Sequence, residues 1–202
     1  MAEQTLKEKT AKGLFWGGLS NGVQQVLNLV FGLMLARILD ASDYGMVGML
    51  AIFSAIASTI QESGFTAALT NQKEIRHEDY NAVFWFSTLT GVSFYLILFF
   101  CAPLIAQFYD KPELIGLSRI VFLSFLFGGF GIASNAYMFK TLMVKERAKI
   151  DIISLICSGT IGVLLALNGF AYYGLAIQTT AYIGIGSMLK FCYSVSYTHL
   201  TL

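Results

Sequence analysis

The residues best placed to do chemistry in this chain are amides set inside an apolar stretch. Asn21, Gln24, Gln25 and Asn28 lie in a run from Leu14 to Ala36 that carries no charge. At about 100° per residue they share an arc of roughly 100° on one helix face, with Gly17 and Gly32 on the same stripe. An amide both donates and accepts hydrogen bonds, so such a face can meet a polar substrate without a buried charge. The same face could hold a neighbouring helix, with the glycines allowing close approach. Four amides on one face exceed what contact alone requires, which favours a cavity lining.

Other polar residues follow the same logic. Ser124, Gly128, Gly131 and Asn135 share a narrow arc that reads as a packing seam, with Asn135 the member to consider for the cavity. Arg119 lies about one turn inside its apolar stretch. Its choices are snorkelling to the headgroups or bidentate contact with a substrate phosphate. Glu62, at the end of the second stretch, is a candidate ion-coupling site or a solvated interfacial carboxylate. His77 sits among Lys73, Glu74, Arg76, Glu78 and Asp79 and reads as solvated. No His/Cys/Asp cluster, nucleophile elbow or phosphate-cradling loop is present, so the sequence offers no catalytic residues, no metal site and no cofactor site. The chain reads as a mover of substrate and not as an enzyme.

Composition sets the solvent. Charged residues make up 12% of the 202 residues and hydrophobic ones 56%, with mean hydropathy +0.67. Soluble domains carry about 25% charged residues. So little charge cannot cover a water-facing surface, and the chain is expected in a membrane. A net charge of +1 gives no footprint for nucleic acid. Cys101, Cys157 and Cys192 lie in apolar stretches, without disulfide or zinc spacing.

Apolar stretches of about 20 residues mark the spans. They fall at about 14–36, 44–63, 80–106 and 116–138. From Ile152 to Leu189 there is no Asp, Glu, Lys or Arg. As one helix this would be about 57 Å long, too long for a bilayer. Asn168, Gly169, Tyr172, Tyr173 and Gly174 supply a turn, giving spans at about 152–168 and 174–192. The expected fold is an all-α integral membrane protein with six transmembrane helices. The first apolar run is too long for a signal peptide, whose core is about 7–15 residues. Residues 1–13 are therefore a segment preceding a retained span. With that segment cytoplasmic, Lys7, Lys9, Lys12, Lys73, Arg76, Lys140, Lys145, Arg147, Lys149 and Lys190 lie inside. Arg37, Lys111 and Arg119 lie outside. The bias predicts a cytoplasmic N-terminus. Residues 195–202, VSYTHLTL, resemble the translation of a sequencing adapter. That reading makes 14–194 the native six-helix lobe of an N-terminal fragment.

Several segments resemble one family. LARILDASDYGMVGM (35–49) is similar to the joint between the first two helices of Wzx-type polysaccharide exporters, within the multidrug/oligosaccharidyl-lipid/polysaccharide flippase superfamily. ESGFTAALTNQKEI (62–75), FWFSTLTG (84–91) and QFYDKPEL (107–114) resemble the segments that follow. FKTLMVKERAKIDI (139–152) fits less well. The likeness covers about residues 5–192 and points to colanic-acid or teichuronic-acid exporter-like proteins.

The resemblance implies a protein of 12–14 helices in two six-helix lobes, in the bacterial cytoplasmic (inner) membrane. It would flip undecaprenyl-diphosphate-linked oligosaccharide to the outer leaflet by alternating access. Lipid-linked oligosaccharide and membrane lipids are the implied partners, with polymerase or export machinery beside them. The amide stripe suits a glycan's hydroxyls. The rival readings are a drug or cation antiporter of the same superfamily and a non-transporting six-helix membrane assembly factor. An antiporter would favour an acid on the first helix, which this chain lacks. A membrane glycosyl- or acyltransferase would need longer loops.

Overall fold

The computed structural model describes the backbone of residues 2–62 and 77–200, and the side chains of 15–61 and 80–194. Within them the chain is all-α. Six helices run in order: α1 Ala2–Ile38, α2 Ala41–Glu62, α3 His77–Phe108, α4 Leu114–Lys140, α5 Val144–Leu167 and α6 Ala171–Leu200. The apolar parts of the first five, Phe15–Ile38, Ala41–Gln61, Tyr80–Phe108, Leu114–Lys140 and Val144–Leu167, are long and apolar enough to cross a membrane. α6 is the most polar of the expected spans, with Gln178, Thr179, Thr180 and Ser187 in its middle, and is not one of those five. The reason lies in its position. It packs between α4 and α5 and also meets α2, so much of its surface faces protein and not lipid.

The connections close by local hydrogen bonding. α2 starts with one half of a capping box, in which the Asp40 amide donates to Asp43 Oδ2 at 3.1 Å. The helices α3, α4 and α5 end alike. Lys111, Met143 and Phe170 each donate from the backbone to the carbonyl five residues back, on Ala106, Met138 and Leu165. The residue before each donor is left-handed: Asp110 (φ 52°), Leu142 (φ 55°) and Gly169 (φ 83°). This is the Schellman geometry that satisfies terminal carbonyls. It places the expected turn near 168–174 at residues 168–170, and Tyr172, Tyr173 and Gly174 begin α6.

The helices pack in the lateral order α3, α4, α6, α5, α1, with α2 lying against α4, α6 and α3. One apolar core joins α2, α3, α4 and α6 around the fully buried Leu50, Leu114, Leu117 and Phe122. A smaller one joins Leu35 of α1 and Leu39 just beyond it to Val163 and Ala166 of α5. α1 and α2 leave large apolar side chains exposed, including Leu29, Leu33, Ile52 and Ile56. That is the surface expected where lipid or further protein is the solvent.

Candidate functional site

The site grows from two helix contacts built on small residues. Along α1 and α5, Gly17 faces Val144, and the Phe31 ring lies over Gly159 so closely that a Cβ there would meet it at 2.6 Å. Along α5 and α6, Gly162 accepts the stem of Gln178, and Gly174 approaches the Gly162 carbonyl. These contacts hold the three helices together, that of Gly17 at the start of α5 and those of Gly159, Gly162 and Gly174 toward its far end. Toward the end of the bundle that carries the start of α1, apolar packing gives way to a cavity of about 420 Å³.

Its walls are polar. α1 contributes Gly17, Ser20, Asn21 and Gln24; α5 contributes Val144, Arg147, Ala148 and Asp151; α6 contributes Tyr182 and Lys190. Lys190 Nζ lies 2.9 Å from Asp151 Oδ1 and joins α6 to α5. Arg147 Nε stands 3.9 Å from Asp151 Oδ2, one turn earlier on the same helix. The Lys190 and Asp151 side chains are 16% and 17% exposed, so water screens this pair less than a surface pair. Two cations against one carboxylate leave the cavity with one excess positive charge. Gln24 Nε2 donates to Ser20 Oγ at 2.9 Å within α1. Guanidinium and ammonium donate, the carboxylate accepts, and amides and hydroxyls do both. The cavity can therefore engage a polyhydroxylated ligand that carries an anionic group.

The expected site residues separate. Asn21 and Gln24 line the cavity. Gln25 and Asn28 are exposed on α1 outside it, and among the described residues no hydrogen bond joins them to another helix. Asn135 is half-buried on α4, its Oδ1 without a donor among the described residues, and it does not line the cavity. Its seam partner Gly131 faces Ser187 of α6. Arg119 stacks its guanidinium over the Phe99 ring at 4.2 Å, with Nε buried. It lies about 24 Å along α4 from Asn135, at the other end of the bundle from the cavity. Glu62 ends α2, and its side chain lies outside the described residues.

Arg147, Asp151 and Lys190 were not legible as site residues in the sequence. Starting the fifth span at 152 leaves Arg147 and Asp151 in a connection, whereas α5 begins at Val144. The available signal was the Arg147/Asp151 spacing of four, which places opposite charges on one helical face. Lys190 stood out as the first charge after the run from Ile152 to Leu189.

Fold and site together define a multi-pass all-α membrane protein with a charged polar cavity among its helices. The chain belongs to the family described as polysaccharide biosynthesis protein, whose profile matches residues 34–201. It is 27% identical over 70% of its length to the lipopolysaccharide biosynthesis protein WzxC of Escherichia coli. It is 26% identical over 76% to the teichuronic acid biosynthesis protein TuaB of Bacillus subtilis. It is 29% identical over 86% to the succinoglycan biosynthesis transport protein ExoT of Rhizobium meliloti. These alignments cover 28%, 32% and 35% of the respective relatives, so the chain spans about a third of their length. No solved structure matches it.

Proposed function

We propose that this chain is the N-terminal six-helix lobe of a polysaccharide exporter. On this reading the protein carries undecaprenyl-diphosphate-linked oligosaccharide from the inner to the outer leaflet of the bacterial cytoplasmic membrane. It does so by alternating access against a second lobe, and no bond is made or broken. The observation that carries the reading is the polar cavity of about 420 Å³ in an otherwise apolar chain. A helical bundle needs no such space for stability, and its volume lies within the roughly 300–1,000 Å³ of small-molecule sites. The names of the relatives, which speak of polysaccharide biosynthesis and transport, support the same cargo. The lysine and arginine bias favours a cytoplasmic side for the cavity, where a lipid-linked precursor would enter.

The antiporter reading draws less support. A cation site wants a carboxylate free to face its ion, and Asp151 is instead bound by Lys190 at 2.9 Å, with the Arg147 charge 3.9 Å from its other oxygen.

The test replaces two cavity amides together. Asn21→Leu with Gln24→Leu, in the full reading frame, should cut polymer export about tenfold, the loss of two ligand hydrogen bonds. Protein levels in the membrane should stay unchanged. Export at the unaltered rate would sink the reading.

A further inference from the structure

The cavity holds its own anion. Asp151 accepts from Lys190 at 2.9 Å, whereas Arg147 at 3.9 Å lies within Coulombic reach but beyond hydrogen-bond distance of the carboxylate. Among the described residues, the Arg147 guanidinium, 36% exposed, is therefore not engaged in the bidentate geometry it forms best with two-oxygen acceptors. Asn21 and Gln24 stand across the same space on α1 and can add donors to an anion there.

We propose that Asp151 is an internal counter-anion occupying the place of a phosphate oxyanion on the cargo, and that Arg147 and Lys190 are the residues that take that phosphate once Asp151 is displaced. The identity of the cargo rests on the function proposed above; the anion exchange does not. In the resting chain the Lys190–Asp151 pair pins α6 to α5 at this end of the bundle. An incoming phosphate replaces the carboxylate as the partner of Lys190 and gains the fork of Arg147. The exchange leaves Lys190 paired and gives Arg147 the partner it lacks; its cost is the released Asp151 carboxylate, 17% exposed, which takes water in place of Lys190. It also releases the bond between two helices as cargo arrives, which ties cargo binding to helix movement. A purely structural pair makes the opposite prediction. There, removing the carboxylate's charge weakens the bundle and leaves anion affinity unchanged.

The experiment titrates farnesyl diphosphate, with farnesol and inorganic pyrophosphate as separate arms, into the 202-residue chain in detergent micelles. Asp151→Asn removes the competing charge at nearly constant shape and should tighten farnesyl diphosphate binding about tenfold. Arg147→Gln keeps the Asp151–Lys190 bond and should weaken it by about the same factor. Farnesol should not respond to either change. Pyrophosphate should follow the same order, because the phosphate chemistry is shared. Unchanged or weaker binding by the Asp151→Asn chain overturns the proposal, as does unaltered affinity in a helical Arg147→Gln chain. If Asp151→Asn does not fold, the Arg147→Gln result decides alone. Equal competition by phosphatidylglycerol would assign the anion to bulk membrane lipid and overturn the cargo assignment. Failure of the transport reading would look different. Export would survive Arg147→Gln in cells while diphosphate affinity still followed the charge at position 151.

Discussion

Two regions of the bundle use polar side chains in opposite ways. Where α2, α3 and α4 meet, Gln61 is buried and its Nε2 donates to the Phe125 carbonyl at 2.9 Å. Beside it, Ser87 Oγ donates to the Gly129 carbonyl at 2.9 Å, and Gly91 and Gly129 bring the α3 and α4 backbones close together. Each of these polar groups is spent on a helix neighbour. Where α1, α5 and α6 meet, Asn21, Gln24, Arg147 and Lys190 surround space. The lesson is that a polar residue in a membrane helix acquires its role from what faces it. Amides of the same chemistry serve as helix contact in one region and as cavity lining in the other.

Substitutions can break or sharpen this contrast. The largest effect is expected at Gly129. A Cβ there would stand 2.6 Å from the Ser87 carbonyl oxygen, a backbone atom that cannot turn aside. Gly129→Val should destabilise the chain by about 3 kcal/mol, read as a lower unfolding midpoint in detergent. A midpoint like the parent's would mean that α3 and α4 do not meet as described. Next comes Gln61→Leu, which removes one buried hydrogen bond and should cost about 1–2 kcal/mol by the same measurement. Loss of export without loss of stability in that variant would move Gln61 from contact to cavity and blur the distinction. The smallest effect is expected from Asn28→Leu, an exposed position outside the cavity. Stability should change by no more than about 0.5 kcal/mol, and export should fall less than in the Asn21→Leu, Gln24→Leu chain. Equal loss of export would extend the site along the whole amide stripe of α1.

Most of the architecture was legible in the sequence. Hydropathy marked the six helices, and a run of 38 residues without charge was resolved into α5 and α6 by Asn168 and Gly169. Less visible were the turns after α3 and α4. Asp110 and Leu142 take a left-handed conformation that glycine more often fills, so composition did not announce it. The lining of the candidate cavity was half legible. Asn21 and Gln24 stood out because amides are rare in an apolar run. The charged residues opposite them did not, because a span located by hydropathy ends where charge begins. The rule that finds α5 also cuts off its first turns.

By itself, then, the sequence determined the solvent, the number and order of the helices, and the family. Hydropathy, turn residues and motif order are properties of neighbours along the chain, and a folded neighbour cannot alter them. The tertiary structure decided which polar residues share a space. It set Asn21 and Gln24 apart from Gln25 and Asn28, and sent Arg119 to the opposite end, onto Phe99. It also brought Lys190, near the end of α6, to Asp151, near the start of α5. An ion pair depends on a separation of a few ångströms through a medium of low dielectric. That separation exists only once α5 and α6 have packed side by side.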